Sequence, residues 1–221
     1  MTISGAETVY QEASESIKQL WAQFPSTLRV GFAKFPEPEI DVSRNKAVQA
    51  ALNSGARWLW FIDSDILPPP DAFAKLVAAD KPIIGGLYVR RHNPPFNEML
   101  KLTPQGLRPI NDGEYQTGSI VECDSVATGC LLIRTEVFEK FKPFQVTIDG
   151  QPCPPEWFLW TANRRNPGYS EDFQFCIRAR ESGIPVFCHT GVKCGHMGPV
   201  KFYPSGNGQL KIAFPGEAAP Q

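Results

Sequence analysis

The sequence predicts an α/β domain with a mostly parallel central sheet flanked by helices and a small antiparallel portion. Three observations carry this. Between residues 28 and 88, apolar runs alternate with amphipathic segments in the order strand, helix, strand, helix, strand, an alternation that builds parallel sheets through right-handed crossovers. One run, Trp58 to Ile62, is apolar at every position, as in a strand covered on both faces. After residue 97 the chain turns to short strands punctuated by Pro104-Gln105-Gly106 and Asn111-Asp112-Gly113, which supply the antiparallel portion.

Each element follows from its local pattern. Glu7 to Trp21 reads as an amphipathic helix with Val9, Ile17, Leu20 and Trp21 as its apolar stripe. Leu28 to Phe32 is a short strand. Asp41 to Ser54 is a helix capped by Asp41 or Ser43, with Ala47, Val48, Ala51 and Leu52 facing inward and Gly55 ending it. Asp63-Ser64-Asp65 follows the Trp58 to Ile62 strand directly, Pro68-Pro69-Pro70 forces a turn, and Asp71 starts a helix carrying Phe73, Leu76 and Val77. Pro82 to Tyr88 is the next strand, and Arg90 to Asn97 a loop. Met99 to Leu102, Leu107 to Ile110, Ser119 to Val126 and Gly129 to Ile133 read as strands, and Glu136 to Phe141 as a short helix. Pro152 to Gly168 is an irregular loop holding Trp157, Phe158 and Trp160. Ser170 to Glu181 is a helix N-capped by Ser170, Pro185 to Cys188 a strand, and Gly191 to Pro199 a segment bearing Cys194 and His196. Residues 1–203 form one domain, and the polar, Gly/Pro-rich residues 204–221 a mobile tail.

Composition narrows the function classes. The 221 residues include 22 basic and 23 acidic side chains, so no excess of positive charge marks a non-specific nucleic-acid binder. At 42% hydrophobic and 20% charged the chain is globular. No stretch approaches the ~18 apolar residues of a membrane span, and the start has no basic segment leading into an apolar one, so no secretory signal is expected. Six cysteines are then expected as reduced thiols in a cytoplasmic protein. G-x-G-x-x-G after the first strand, a P-loop lysine motif and G-x-S-x-G are all absent, which weakens dehydrogenase, nucleotide-triphosphatase and α/β-hydrolase readings.

Chemistry gathers at a few places. Asp63 and Asp65 stand at the carboxyl end of a buried strand, where open α/β sheets bind ligands; two close acids favour a hard cation such as Mg²⁺ or Mn²⁺, or else simply cap the turn. Glu171 and Asp172 open a helix, where the dipole favours acids; either carboxylate could also serve as a general base. His196, between glycines, is a loop imidazole able to ligate an Mn²⁺-type ion. Cys188, His189, Cys194 and His196 have the residue types of a zinc site, though not a usual spacing. Arg90, Arg91 and His92 could hold phosphate or form a solvated loop. The aromatics of Pro155 to Trp160 could stack on an acceptor or pack in the core.

Taken together, these segments resemble glycosyltransferase family 2 and its GT-A fold relatives, in the short single-domain form found in phage and prokaryotic genomes. The resemblance rests on Ser43-Arg44-Asn45-Lys46-Ala47 with the helix ending at Gly55, on WLWFIDSD, on Thr128 to Arg134 followed by Glu136 to Phe141, on Ser170-Glu171-Asp172, and on Cys194-Gly195-His196, spanning residues 28 to 200. It implies a GT-A type, Rossmann-like sheet and metal-dependent transfer of a sugar from a nucleoside diphosphate sugar to an acceptor hydroxyl. Asp63 would lie near the donor ribose and metal, Asp65 would coordinate Mn²⁺ or Mg²⁺ directly, and His196 would be a further ligand. Arg44 would contact the nucleotide, and Ala33 and Lys34 would border the nucleobase. Asp172 would be the base of an inverting displacement, with Glu171 as substitute. A UDP-sugar is favoured over a GDP-sugar. The acceptor is open between a small molecule, a glycan, a protein and a modified base in DNA. The family's usual turn after the first strand is replaced here by Ala33-Lys34-Phe35-Pro36. The alternatives are a non-catalytic nucleotide-sugar-binding module, a metal-dependent nucleotidyltransferase and a zinc-stabilised structural protein.

Overall fold

The computed structural model of the chain describes residues 2–4, 11–35, 37–92, 94–145, 147–160, 169–198, 201–203 and 211–213. The first half runs β1 (Thr2–Ser4), α1 (Gln11–Ala22), β2 (Ala33–Phe35), α2 (Ile40–Ser54), β3 (Trp58–Asp63), β4 (Ile66–Leu67), α3 (Ala72–Ala78), β5 (Ile83–Leu87), β6 (Val89–Arg90), β7 (Phe96–Asn97), β8 (Met99–Thr103) and β9 (Gly106–Pro109). The second runs β10 (Ile120–Cys123), β11 (Ser125–Val126), β12 (Cys130–Arg134), α4 (Glu136–Lys140), β13 (Thr147–Ile148), β14 (Gln151–Pro152), α5 (Glu171–Glu181), β15 (Val186–Lys193), β16 (Gly195–His196), β17 (Lys201–Tyr203) and β18 (Lys211–Ala213).

The central sheet has seven strands in the order β10-β15-β5-β12-β3-β1-β2. Three pairings are parallel, β1 with β2, β1 with β3 and β15 with β5. The other three, β10 with β15 and β12 with both β3 and β5, are antiparallel. The expected mostly parallel, Rossmann-like sheet is therefore corrected to a mixed one. The reason lies in β12: it enters the sheet from the excursion β6 to β11, not from a helical crossover, so nothing forces it to run with its neighbours. It lies between β3 and β5 and opposes both.

The core has two halves, one on each sheet face. Leu59 and Phe61 of β3 pack with Ala47, Val48, Ile133 and Phe175, while Trp60 and Ile62 pack with Ile17, Leu20, Leu76 and Leu132. Successive strand residues point to opposite faces, so a strand covered on both sides must be apolar at every position. That is the physical content of the WLWFI run.

Several local expectations shift. The Leu28 to Phe32 run is not a strand; Leu28 and Phe32 are exposed, and Ala33 begins β2 instead. Trp21 is also exposed, its ring 6.2 Å from Phe24 and 5.8 Å from Phe32. The Glu7 to Trp21 helix appears as α1; residues 7–10, Val9 included, lie outside the described residues. Neither Asp41 nor Ser43 caps α2, which starts at Ile40 and ends as expected at Gly55, in the left-handed region with φ 65°. Of the residues expected in a mobile tail, Lys211–Ala213 pairs with Lys201–Tyr203; residues 204–210 and 214–221 lie outside the described residues. No described helix is long and apolar enough to cross a membrane.

Candidate functional site

Three consecutive residues at the start of α2 position much of the site. Neighbours on a helix point about 100° apart, so Ser43, Arg44 and Asn45 address three different elements. The Ser43 hydroxyl donates to the Phe35 carbonyl at 2.8 Å and accepts from the Glu37 N–H at 3.2 Å, fixing the turn from β2 into α2. Asn45 clamps the aromatic loop: its amide donates to the Phe158 carbonyl at 2.7 Å, and its oxygen accepts from the N–H groups of Trp157 and Phe158. Arg44, only 3% exposed, bonds Glu171 Oε1 through Nη1, and its Nη2 lies 3.4 Å from Asp63 Oδ2. Arg44 was expected to contact the nucleotide; the structure places its guanidinium between Glu171 and Asp63.

Asp65 lies two residues beyond β3 and faces a different set of partners. Its Oδ2 is 3.4 Å from His196 Nε2 and 2.8 Å from Arg91 Nη2. A backbone ladder makes the first approach possible: β16 pairs with β4 so that His196 stands opposite Ile66, and the Met197 N–H donates to the Asp65 carbonyl at 2.7 Å. The imidazole is oriented as well. Its Nδ1 sits 2.8 Å from the Val89 carbonyl, and a carbonyl can only accept, so Nδ1 carries a proton; Nε2 turns to Asp65, to which it donates when the ring is charged. The ring packs edge-on against Tyr88 at 5.4 Å. Burial pushes the Asp65 carboxyl up, but the hydrogen bond and charge of His196, together with Arg91, outweigh it and hold the group below its ordinary value.

This donor set suits a hard divalent ion. Such an ion takes ligands at roughly 2.1 Å, so adjacent ligand atoms lie about 3 Å apart, close to the Asp65–His196 gap. Among the described residues no three His, Cys, Asp or Glu side chains converge. Asp63, directed to Arg44, is therefore not in one ligand cluster with Asp65 and His196, and Cys188, His189, Cys194 and His196 do not form a zinc site. Two protein ligands are enough for ions that complete their shell with water and substrate phosphates.

Asp172, in the first turn of α5, accepts at Oδ1 from the Ser170 hydroxyl and from the Phe173 N–H at 2.8 Å. Ser170 thus spends its hydroxyl on a side chain, not on a backbone cap. Glu171 is committed to Arg44. Of the aromatic loop, Trp157 and Phe158 are core residues, Phe158 stacking on Phe175 at 4.4 Å, while Trp160 is exposed. Register puts Phe35 level with Asp63 across β1, so Ala33 and Lys34 stand level with Phe61 and Ile62 of β3, with β1 between them. Ala33 also lines a cavity of about 1000 Å³ among Phe24, Trp58, Trp60 and Phe73; no other candidate residue does, so the largely apolar cavity stands apart from the polar site.

One residue is missed by sequence reasoning. Glu98, between β7 and β8, is 8% exposed. Its N–H donates to the Tyr88 carbonyl at 3.0 Å, its Oε1 lies 3.8 Å from Arg90 Nε, and its Oε2 is buried with no hydrogen-bond partner among the described residues. Burial raises its carboxyl to about 7; repulsion from Asp172 adds to this, and Arg90 and His196 oppose it. A carboxyl half-protonated near neutrality can hold or pass a proton. The one signal in the sequence is a charge set directly before the apolar Met99-Leu100 pair. Gly129 marks the tightest backbone approach nearby: a Cβ there would come within 2.6 Å of the Tyr88 hydroxyl, which accepts from the Gly129 N–H at 3.0 Å.

No model of a known protein family matches the chain, and no curated protein matches it in sequence. Solved structures do. The crystal structure of A197 from STIV is similar with a TM-score of 0.62 at 14% identity, covering 100% of this chain and 96% of that one. The crystal structure of GalNAc-T7 with UDP, GalNAc and Mn²⁺ is similar with a TM-score of 0.53 at 11% identity, covering 88% of this chain and 43% of that one, so this chain spans less than half of that relative's length. At these identities the likeness speaks for the architecture alone, a GT-A-like arrangement of strands and helices.

Proposed function

We propose that this protein is a glycosyltransferase that moves a sugar from a nucleoside diphosphate sugar to an acceptor hydroxyl, with a Mn²⁺ or Mg²⁺ ion held by Asp65 and His196. The observation that carries this reading is the 3.4 Å approach of His196 Nε2 to Asp65 Oδ2 at the carboxyl edge of the sheet. The GT-A-like fold supports it, as does the UDP, GalNAc and Mn²⁺ in the GalNAc-T7 structure. When bound, the ion supplies Lewis-acid charge to the diphosphate leaving group.

The chain's own residues do the rest. Arg44 holds Asp63 and Glu171 in fixed positions, so Asp63 meets the donor ribose without reorganising. Ala33 and Lys34 border the nucleobase, with uracil preferred to guanine. Ser170 and the Phe173 N–H steady Asp172 through Oδ1, which leaves Oδ2 to take the acceptor proton. The acceptor oxygen attacks C1 from the face opposite the diphosphate; the new C–O bond forms as the old one breaks, the proton goes to Asp172, and the anomeric centre inverts. The acceptor is a small molecule, a glycan, a protein or a modified DNA base, and the setting is cytoplasmic.

The test is incubation with UDP- and GDP-sugars, with and without Mn²⁺. Release of nucleoside diphosphate that needs both Mn²⁺ and Asp65 is expected, and Asp172→Asn should retain donor binding while losing transfer. Pyrophosphate release would instead indicate nucleotidyl transfer. Donor binding with no turnover in the native protein would indicate a non-catalytic module.

A further inference from the structure

Arg91 carries an inference that rests on the divalent-cation reading above. Its Nη2 lies 2.8 Å from Asp65 Oδ2, the same oxygen that faces His196 Nε2. Its Nη1 donates to the Met197 carbonyl. A divalent ion bonds a carboxylate oxygen at roughly 2.1 Å. An ion on Oδ2 and the guanidinium nitrogen already there would then be at most about 5 Å apart, and at that range like charges repel strongly. The two cations compete for one oxygen. We propose that Arg91 is a resident counter-cation at this site, that a divalent ion must displace it, and that the released guanidinium then grips the donor diphosphate.

The surroundings allow the exchange. The Arg91 side chain is 38% exposed, and ion pairs so open to water hold weakly. The His196 segment loses only the bond to the Met197 carbonyl and keeps its other ties. Pairing of Gly195 with Leu67 and of His196 with Ile66, the Met197 N–H bond to the Asp65 carbonyl and the Val89 carbonyl behind the ring all remain when Arg91 leaves. Arg90 is no substitute, since it stands over the Phe96 ring at 5.8 Å and beside Glu98. A planar guanidinium matches phosphate oxygens in pairs, so the displaced group has a natural new partner once the donor arrives.

The test is titration of the full chain with Mn²⁺ alone, followed by the electron paramagnetic resonance of the free ion. Arg91→Gln should bind Mn²⁺ about tenfold more tightly than the native protein, whereas Arg91→Lys, which keeps the charge, should stay within about threefold. With Mn²⁺ saturating, Arg91→Gln should bind UDP about tenfold more weakly. The tighter Mn²⁺ binding must vanish when Asp65→Asn is added. Equal Mn²⁺ affinity in the native protein and Arg91→Gln, with native-like melting, overturns the exchange while leaving the cation site itself standing. Absence of Mn²⁺ binding in every variant overturns both.

Discussion

Two acids stand two residues apart, and their surroundings give them opposite tasks. Asp63 faces Arg44, which is buried against Glu171 beneath the Phe158 ring. Asp65 faces His196 and Arg91 at an open rim, where one partner is an oriented imidazole and the other a half-exposed guanidinium. The first cluster is a brace: Arg44 and Glu171 pair in the interior, where breaking the pair strands the remainder. The second is an exchange site, whose positive partner can leave into water. A strand end can therefore supply rigidity and chemistry side by side, because burial, not residue type, decides which acid does which.

The contrast is easiest to break at the brace. Arg44→Met leaves the buried Glu171 carboxylate unpaired and should destabilise the fold by about 3–5 kcal/mol, read by denaturant unfolding. A loss below about 1 kcal/mol would mean that the brace is not structural. Next comes Glu98, whose carboxyl is raised by burial to about 7 from an ordinary value of 4.5. The folded state therefore binds this proton more tightly than the unfolded one. The resulting stability is fully present below pH 4.5 and is lost as pH rises through 7, a difference of about 3 kcal/mol. Glu98→Gln should flatten that part of the stability–pH curve; an unchanged slope between pH 4.5 and 7 would assign the dependence to other groups. The smallest effect is at the turn that aims α2: Ser43→Ala removes the bond to the Phe35 carbonyl and should lower stability by about 1 kcal/mol, with Mn²⁺ binding at the rim untouched.

The sequence is most legible where the determinants are local. The all-apolar Trp58 to Ile62 run, the α2 helix ending at Gly55 and the acids opening α5 come from period, turn chemistry and the helix dipole, and all appear near their expected bounds. Pairing is not local, so the antiparallel entry of β12 between β3 and β5 leaves no mark in its own residues. Leu28 to Phe32 misleads for a related reason: an apolar run becomes a strand only where a neighbouring edge accepts it. Within the site, Asp65 and His196 are legible from residue type and position, and from family resemblance, whereas their approach depends on the β4–β16 pairing. Arg44 is visible as a motif residue, but its burial is a tertiary outcome. Glu98 is hidden for the same reason, since nothing in a lone glutamate announces that both flanking strands will enclose it.

The central claim is that Asp65 and His196 together hold a divalent cation, and Mn²⁺ binding by isothermal titration calorimetry tests it most directly. Asp65→Asn and His196→Gln should each weaken Mn²⁺ by at least about tenfold without lowering the melting temperature appreciably. Native affinity in both variants would contradict the account.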